Sequence, residues 1–413
     1  MKKLIKCGWL FDATSGDCLK NDMEILVDGN LIADIAPAGR LLCPDAEVIE
    51  LTGKFVMPGL IDGHVHLQFN RETGGREIVN HMSVPEIALK SLAVAQIDLN
   101  AGFTTLRNMS AVGFTDVAVK RSIEQGFHKG PRLMVSGMPL GARAGNGDTT
   151  YRADISGGEI GYVVSGPYET RTAVRLCLKY GSDLIKVSAA NSFLDYGDET
   201  GAPEMTPDEI AAAVEIAHMN HKTVAAHTYS AQSIENAVFA GVDTIEHCVW
   251  VDDRTLEEMA RRGTYIVPTI IALHNCVINA ERFGLSGHSL DNAKRALEHQ
   301  GIQIAKARGL GVPIAFGTDA GTPFNPHGEQ LLEFKLMTDR GLSPVEALLA
   351  ATKVNARMLG LDRQIGTLES GKLADITAFD KNPLEDITAM QNCAFVMKDG
   401  EIFKEAFSQF SVT

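Results

Sequence analysis

Apolar residues recur along this chain in two different rhythms. Near the N-terminus they come in short runs broken by turn residues: Leu4-Ile5-Lys6-Cys7, Met23-Glu24-Ile25-Leu26-Val27 and Leu31-Ile32-Ala33-Asp34-Ile35. Asp28-Gly29-Asn30 separates the last two and predicts a hairpin, because glycine and asparagine tolerate the left-handed backbone of a tight turn. The C-terminal segment returns to that style. Residues 374–379 and 393–397 read as strands, and Lys398-Asp399-Gly400-Glu401 as another turn. Two strand-rich ends around a different middle predict a small sheet domain assembled from both termini.

In the middle, short apolar strands at 59–63, 104–107, 132–136, 184–187, 224–226, 244–246, 265–267 and 314–317 alternate with helical stretches such as 83–101, 207–220 and 233–240. Thr206 before Pro207-Asp208-Glu209 marks a helix start. Threonine caps, and the fixed φ of proline suits the first helical position, where no N–H is needed. Eight alternations predict an α/β fold, a (β/α)8 TIM-like barrel. A doubly wound open sheet would alternate in the same way, so periodicity leaves both architectures standing. The expected division is 58–360 for the barrel, with 1–57 and 361–413 together forming the small domain.

Charge narrows the partners. The 413 residues carry a formal net charge of −14, which repels phosphates, so neither nucleic acid nor membrane is an expected partner. No apolar run reaches the ~18 residues that a membrane span needs. After Cys7-Gly8-Trp9 the chain turns polar at Asp12 and Ser15-Gly16-Asp17, and no signal-peptide core develops. Seven scattered cysteines, Cys7, Cys18, Cys43, Cys177, Cys248, Cys276 and Cys393, form no CxxC pair, which favours reduced thiols. A cytoplasmic protein acting on a small molecule is the expectation.

The sharpest chemical signal is Pro58-Gly59-Leu60-Ile61-Asp62-Gly63-His64-Val65-His66. At a strand end, residues i and i+2 point to one side, so His64 and His66 can aim imidazoles at one ion. Further candidates stand at later strand ends: Lys186 in Leu184-Ile185-Lys186-Val187, His227 after Ala225-Ala226, His247 after Ile245-Glu246, and Asp319 in Gly317-Thr318-Asp319-Ala320. Barrel enzymes keep their catalysts at those C-terminal strand ends. Alone, each has a bland reading, and Lys186 by itself reads first as a solvated or ion-paired cation. Among metal ligands a bare ammonium is repulsive, whereas carbon dioxide would turn it into an anionic carbamate able to bridge two cations. His274 is expected in the loop after the seventh strand and His327 follows the eighth, where either can line a pocket or simply pack. The other histidines, at 81, 128, 218, 221, 288 and 299, read as surface or packing residues.

The ordered set His-x-His, Lys, His, His, Asp resembles the binuclear branch of the amidohydrolase superfamily. Leu368-Glu369-Ser370-Gly371-Lys372-Leu373-Ala374-Asp375, with Asp380-Lys381-Asn382-Pro383 after it, looks like that family's return into a β-sandwich domain. The resemblance implies that His64, His66 and Asp319 hold the more buried metal, His227 and His247 the second, and carboxylated Lys186 both. It implies two divalent metal ions, zinc first for a mixed nitrogen and oxygen set, with manganese, cobalt, iron or nickel also compatible. A homo-oligomer is implied too. Mononuclear deaminases of the superfamily usually place a glutamate three residues after the strand-five histidine; Ser230 stands there.

Within the superfamily the chain is most similar to dipeptidases and carboxypeptidases related to imidazolonepropionase, which release a C-terminal residue such as proline or arginine. The segments are Gly130-Pro131-Arg132-Leu133, Asp183-Leu184-Ile185-Lys186 and Asp243-Thr244-Ile245-Glu246-His247. The implied chemistry is hydrolysis of a C–N amide bond by a metal-bridging hydroxide, with Asp319 moving the proton. Tyr229 occupies the place where such relatives bind the substrate carboxylate, and reads equally as rim packing. Departures lie in substrate loops: Gly145-Asn146-Gly147-Asp148 replaces a Gly-His-Gly-Asp, Arg107-Asn108 an Arg-Asp, and 189–196 a glycine-rich loop. They keep open a non-peptide amide, urea, carbamate or lactone as substrate, and beyond those a catalytically silent scaffold.

Overall fold

The structure is a computed structural model and describes residues 2–15, 19–70, 75–146, 148, 160–191, 201–282, 284 and 287–405. Cys18, Gly147 and residues 192–196 of the loop after the fourth predicted strand lie outside them. The strands run, in chain order, β1 (Lys2–Phe11), β2 (Leu19–Asp28), β3 (Leu31–Pro37), β4 (Glu47–Pro58), β5 (Leu60–Val65), β6 (Phe103–Asn108), β7 (Arg132–Val135), β8 (Leu140–Ala142), β9 (Tyr162–Val164), β10 (Leu184–Ser188), β11 (Thr223–Thr228), β12 (Thr244–His247), β13 (Tyr265–Val267), β14 (Ile376–Phe379), β15 (Cys393–Lys398) and β16 (Glu401–Lys404). The chain divides into two compact units: Met1–Asp62 with Gln96–Leu106 and Leu331–Thr413, and Gly63–Ala95 with Arg107–Gln330.

In the first unit the two ends of the chain build one seven-stranded sheet, ordered β16-β15-β14-β4-β1-β2-β3. The β2–β3 hairpin turns at the predicted Gly29-Asn30. Residues two apart point to one face of a strand. Ile5 and Cys7, Ile25 and Val27, Ile376 and Ala378, Phe395 and Met397 accordingly meet in one buried core with Ile32, Leu51, Val56 and Leu368. Burying each large aliphatic side chain contributes about 1.5–3 kcal/mol. The described strands form one continuous ladder, on which this core gathers.

The second unit is mixed α/β. Six parallel strands are ordered β13-β12-β11-β10-β8-β9, and β5-β6-β7 form a separate ladder. Helices Pro207–Met219, Ala231–Ala240 and Asp253–Arg262 follow β10, β11 and β12. The predicted cap at Thr206 is closed by Glu209, whose carboxylate accepts from the Thr206 N–H at 2.8 Å and hydroxyl at 2.9 Å. Ser230 caps the next helix, its hydroxyl accepting from Ser233 N–H.

One strand prediction needs correction. The third strand is β7, at Arg132–Val135 against the predicted 132–136, while β8, beyond it, pairs in the other ladder. The eighth, at 314–317, is not a strand; it contributes only an isolated bridge at Ile314, and a second lies at Ala320. The segment is nevertheless tied on both sides. Ala315 N–H donates to the Ile266 carbonyl at 2.8 Å, Gly63 N–H to the Phe316 carbonyl at 2.9 Å, and His66 N–H to the Ala320 carbonyl at 2.8 Å. Regular extension ends where Asp319 turns left-handed at φ 57°. Among the described residues the ladders do not close into a ring. No described helix is long and apolar enough to cross a membrane.

Candidate metal centre

Register decides which side chains meet. Lys186 lies opposite Ala225, which lies opposite Thr244; Ser188 lies opposite His227, which lies opposite Glu246. By the two-residue alternation of strands, Lys186, His227, Thr244 and Glu246 therefore share one face. His247, one residue beyond Glu246, belongs by parity to the other face. Its φ of 70° turns it back. A left-handed backbone at a non-glycine residue stores strain, and Cys248, Thr269 and Asp319 share it at φ 51°, 48° and 57°.

His64, His66 and Asp319 converge. One ligand atom from each lies within 4.8 Å of the others. Asp319 Oδ1 is 2.9 Å from His66 Nε2 and 3.3 Å from His64 Nε2. Burial would raise the Asp319 carboxyl, but His64 and His66 beside it hold it well below the usual carboxylate range. The far ring nitrogens are engaged too: His66 Nδ1 meets Ser110 Oγ at 2.7 Å, and His64 Nδ1 meets Glu246 Oε2 at 2.6 Å. Glycine is required behind this cluster. A Cβ at Gly321 would stand 2.5 Å from the His66 carbonyl oxygen, and one at Gly317 would stand 2.3 Å from Val267 Cγ1.

His227 and His247 form a second group. His227 Nδ1 lies 2.8 Å from His247 Nε2, and His247 Nδ1 lies 2.7 Å from Thr269 Oγ1. Burial holds His247 down to about 3, and pushes His227 well below the ordinary imidazole range with help from His247 and Lys186. Both rings are therefore neutral at pH 7, with lone pairs to offer. His64 and His247 have ring centroids 5.3 Å apart, which brings the groups together. Lys186 is buried, and burial pulls its ammonium down to about 8 against the attraction of Glu246 and Asp319. Its Nζ and the Nε2 of His227 are buried without a hydrogen-bond partner. Buried polar atoms are rarely left so. Two orphaned nitrogens facing a neutral-imidazole and carboxylate set are what a pair of cations, with a carbamate on the lysine, would satisfy.

The predicted substrate residues scatter. Tyr229 is buried, its ring stacked on His247 at 5.1 Å. His327 is buried with Nε2–H towards the His66 carbonyl at 3.3 Å. Asn146 donates its backbone N–H to both Glu204 oxygens at 2.9 Å. His274 corrects an expectation: it sits half-buried in helix Ile270–Ile278, not in a loop, because Ile270-Ile271-Ala272-Leu273 continues as helix directly after Thr269. Sequence reasoning missed the roles of Glu246 and Arg107. Arg107 is buried and donates to both Glu246 oxygens, at 2.8 and 3.1 Å, and to Thr244 Oγ1 at 3.1 Å. Its signal was a charged residue at the polar end of an apolar strand.

With this geometry in view, comparisons with known proteins place the chain. The Amidohydrolase family model matches residues 55–403, so the chain belongs to the amidohydrolase family. An ochratoxinase of Aspergillus niger is 29% identical over 377 residues, covering 84% of this chain and 75% of that protein. An imidazolonepropionase of Symbiobacterium thermophilum is 25% identical over 376 residues, covering 84% and 81%. Among solved structures, a Xaa-Pro dipeptidase with bound methionine is 31% identical at a TM-score of 0.88, covering 98% of this chain and 100% of that one. A prolidase complexed with N-methylphosphonate-L-proline is 28% identical at 0.89, with the same coverage. The family makes this chain a hydrolase acting on carbon–nitrogen bonds.

Proposed function

We propose that this amidohydrolase cleaves the amide bond of a dipeptide or N-acyl amino acid, in the manner of a Xaa-Pro dipeptidase or carboxypeptidase, on a (β/α)8 barrel spanning 58–360. The small domain is the β-sandwich of 1–57 and 361–413. The observation that carries the catalytic reading is the pair of orphaned nitrogens, Lys186 Nζ and His227 Nε2, beside the convergent His64, His66 and Asp319. His64, His66 and Asp319 would hold one divalent ion, His227 and His247 a second, and a carbamate on Lys186 both. Zinc is the first choice. Two such ions supply activation of water and polarisation of the carbonyl.

The chain's own residues do the rest. Asp319, an anion set between two imidazoles, takes the proton of the attacking water at a carboxylate oxygen and delivers it to the leaving nitrogen. The neutral His227 and His247 leave that carboxylate as the proton carrier. Tyr229 stacks on His247 where it can meet a substrate carboxylate, with Asn146, His274 and His327 as further substrate contacts. We place the enzyme in the cytoplasm as a homo-oligomer. The likeness to a prolidase in complex with a phosphonate of proline supports the peptide reading. The likeness to an ochratoxinase, with Asn146 in place of histidine, supports the second, a non-peptide amide, urea, carbamate or lactone.

Protein made with zinc and bicarbonate is assayed on Xaa-Pro, Xaa-Arg and N-acyl amino acids. Release of the C-terminal residue from at least one class is expected. Silence across that panel, with turnover of an aryl amide or lactone, transfers the assignment to the second reading. A protein that retains no metal and turns over nothing is a scaffold.

A further inference from the structure

Glu246 stands one residue before a proposed metal ligand, fully buried, and no step above employs it. All its neighbours are donors. Oε1 accepts from the Thr244 hydroxyl at 2.5 Å and from Arg107 at 2.8 Å; Oε2 accepts from Arg107 at 3.1 Å and faces His64 Nδ1 at 2.6 Å. Arg107 is fixed in turn, because its remaining nitrogens donate to Thr244 Oγ1 and to the Gly63 carbonyl, one residue before His64. The guanidinium therefore anchors both the carboxylate and the backbone of the first histidine.

We infer that Glu246, held by Arg107, is a positioning residue that keeps a hydrogen on His64 Nδ1 and so leaves Nε2 as the nitrogen that a metal takes. A carboxylate has only lone pairs to offer, so the imidazole nitrogen facing it carries the hydrogen. With a hydrogen kept on Nδ1, any proton that Nε2 shares with Asp319, 3.3 Å away, is the one a metal displaces. The far nitrogens of His66 and His247 face hydroxyls, Ser110 and Thr269, which donate or accept by rotating. Of these three histidines His64 is the one with a carboxylate at its far nitrogen. Outer partners of metal-bound histidines work in this way.

A glutamine at 246 breaks the arrangement. Whichever oxygen its amide NH2 replaces, that group meets an Arg107 donor, and if it also faces His64 the ring must flip tautomer and turn a hydrogen on the metal. The proposal rests on His64 being a metal ligand, and the experiment separates the two. In metal-stripped wild type labelled with 15N at histidine, long-range correlation spectra should show a hydrogen on His64 Nδ1, whether or not Nε2 shares one with Asp319, the peak being assigned by its loss in His64→Asn. Finding Nδ1 without a hydrogen overturns the relay, whatever the metal content. Glu246→Gln should weaken metal retention at one of two sites about 10–100-fold against a competing chelator. Unchanged affinity in a folded Glu246→Gln protein overturns it as well. If that variant does not fold, the wild-type spectrum still decides. Wild type that binds no metal would instead sink the function proposed above and leave the tautomer result standing.

Discussion

The two halves of the candidate centre are built differently. The half made of His64, His66 and Asp319 is held from outside: the carboxylate lies beside both imidazoles, and their far nitrogens are held by Ser110 and by Glu246. The half made of His227, His247 and Lys186 is unfinished. Its imidazoles bond to each other, and its lysine and one imidazole nitrogen have nothing to bond to. Protein hydrogen bonds preorganise the first half, while the second is shaped for something that arrives. The first should therefore bind metal as folded, and the second only once the lysine has become an anion.

The largest test falls on the residue that closes the first half. Asp319→Asn keeps the shape and removes the charge and the proton acceptor. It should lower kcat by about a hundred- to ten-thousand-fold, with metal loss confined to one site. Steady-state kinetics and elemental metal analysis check it together. Full turnover with unchanged metal content would remove Asp319 from the proton path.

Lys186→Met tests the second half, and stability and binding should move in opposite directions. Burial holds the lysine at about 8 in the folded protein, against an ordinary 10.5. Between those values the unfolded chain binds the extra proton, so this residue's contribution to stability rises with pH across that window and is unfavourable below it. A buried, unpartnered ammonium costs at least about 1–3 kcal/mol. Metal-stripped Lys186→Met should therefore be more stable than stripped wild type at pH 7 by that order, with the gap narrowing from pH 8 upwards. Urea unfolding at pH 7 and pH 10 measures it. The same variant should keep one metal and lose the other. A wild type as stable as the variant at pH 7 would mean that the ammonium has a partner after all.

How much of this was legible beforehand divides along the same line. Strand ends and two-residue alternation suffice to read His64 and His66 from the chain, and the turn at Gly29-Asn30 and the cap at Thr206 are equally local. Glu246 was not legible as a support, because its partner Arg107 lies 139 residues away on a strand of another ladder, and only the fold makes them neighbours. The return of His247 to the site needs a left-handed φ that no periodicity announces. The eighth strand failed for a related reason. Its apolar run reads as extended, but Gly317 is pressed against Val267 and His64 and Asp319 takes a left-handed φ, neither of which the run announces. His274 was assigned to a loop because the apolar run before it was read without a helical period.

The smallest expected effects make the sharpest comparison. Ser110 and Thr269 play the same part in opposite halves, each a hydroxyl 2.7 Å from the far nitrogen of a histidine. A neutral hydrogen bond of this kind contributes about 0.5–1.5 kcal/mol, which is about two- to tenfold in a binding constant. Ser110→Ala should weaken the metal held by His64, His66 and Asp319 by that factor and spare the other; Thr269→Val should do the reverse. Stepwise titration with a chelating dye resolves the two constants. If the halves are independent, the losses in the double variant add to within about 0.5 kcal/mol, as they do for sites without shared partners. A larger loss means that the halves are coupled, and Lys186 is the residue placed to couple them, since the charges of Asp319 and Glu246 both act on its nitrogen. Thr269→Val on Lys186→Met, read at the one site that this variant keeps, then decides the point, because an effect on that site that survives without the lysine cannot have passed through it.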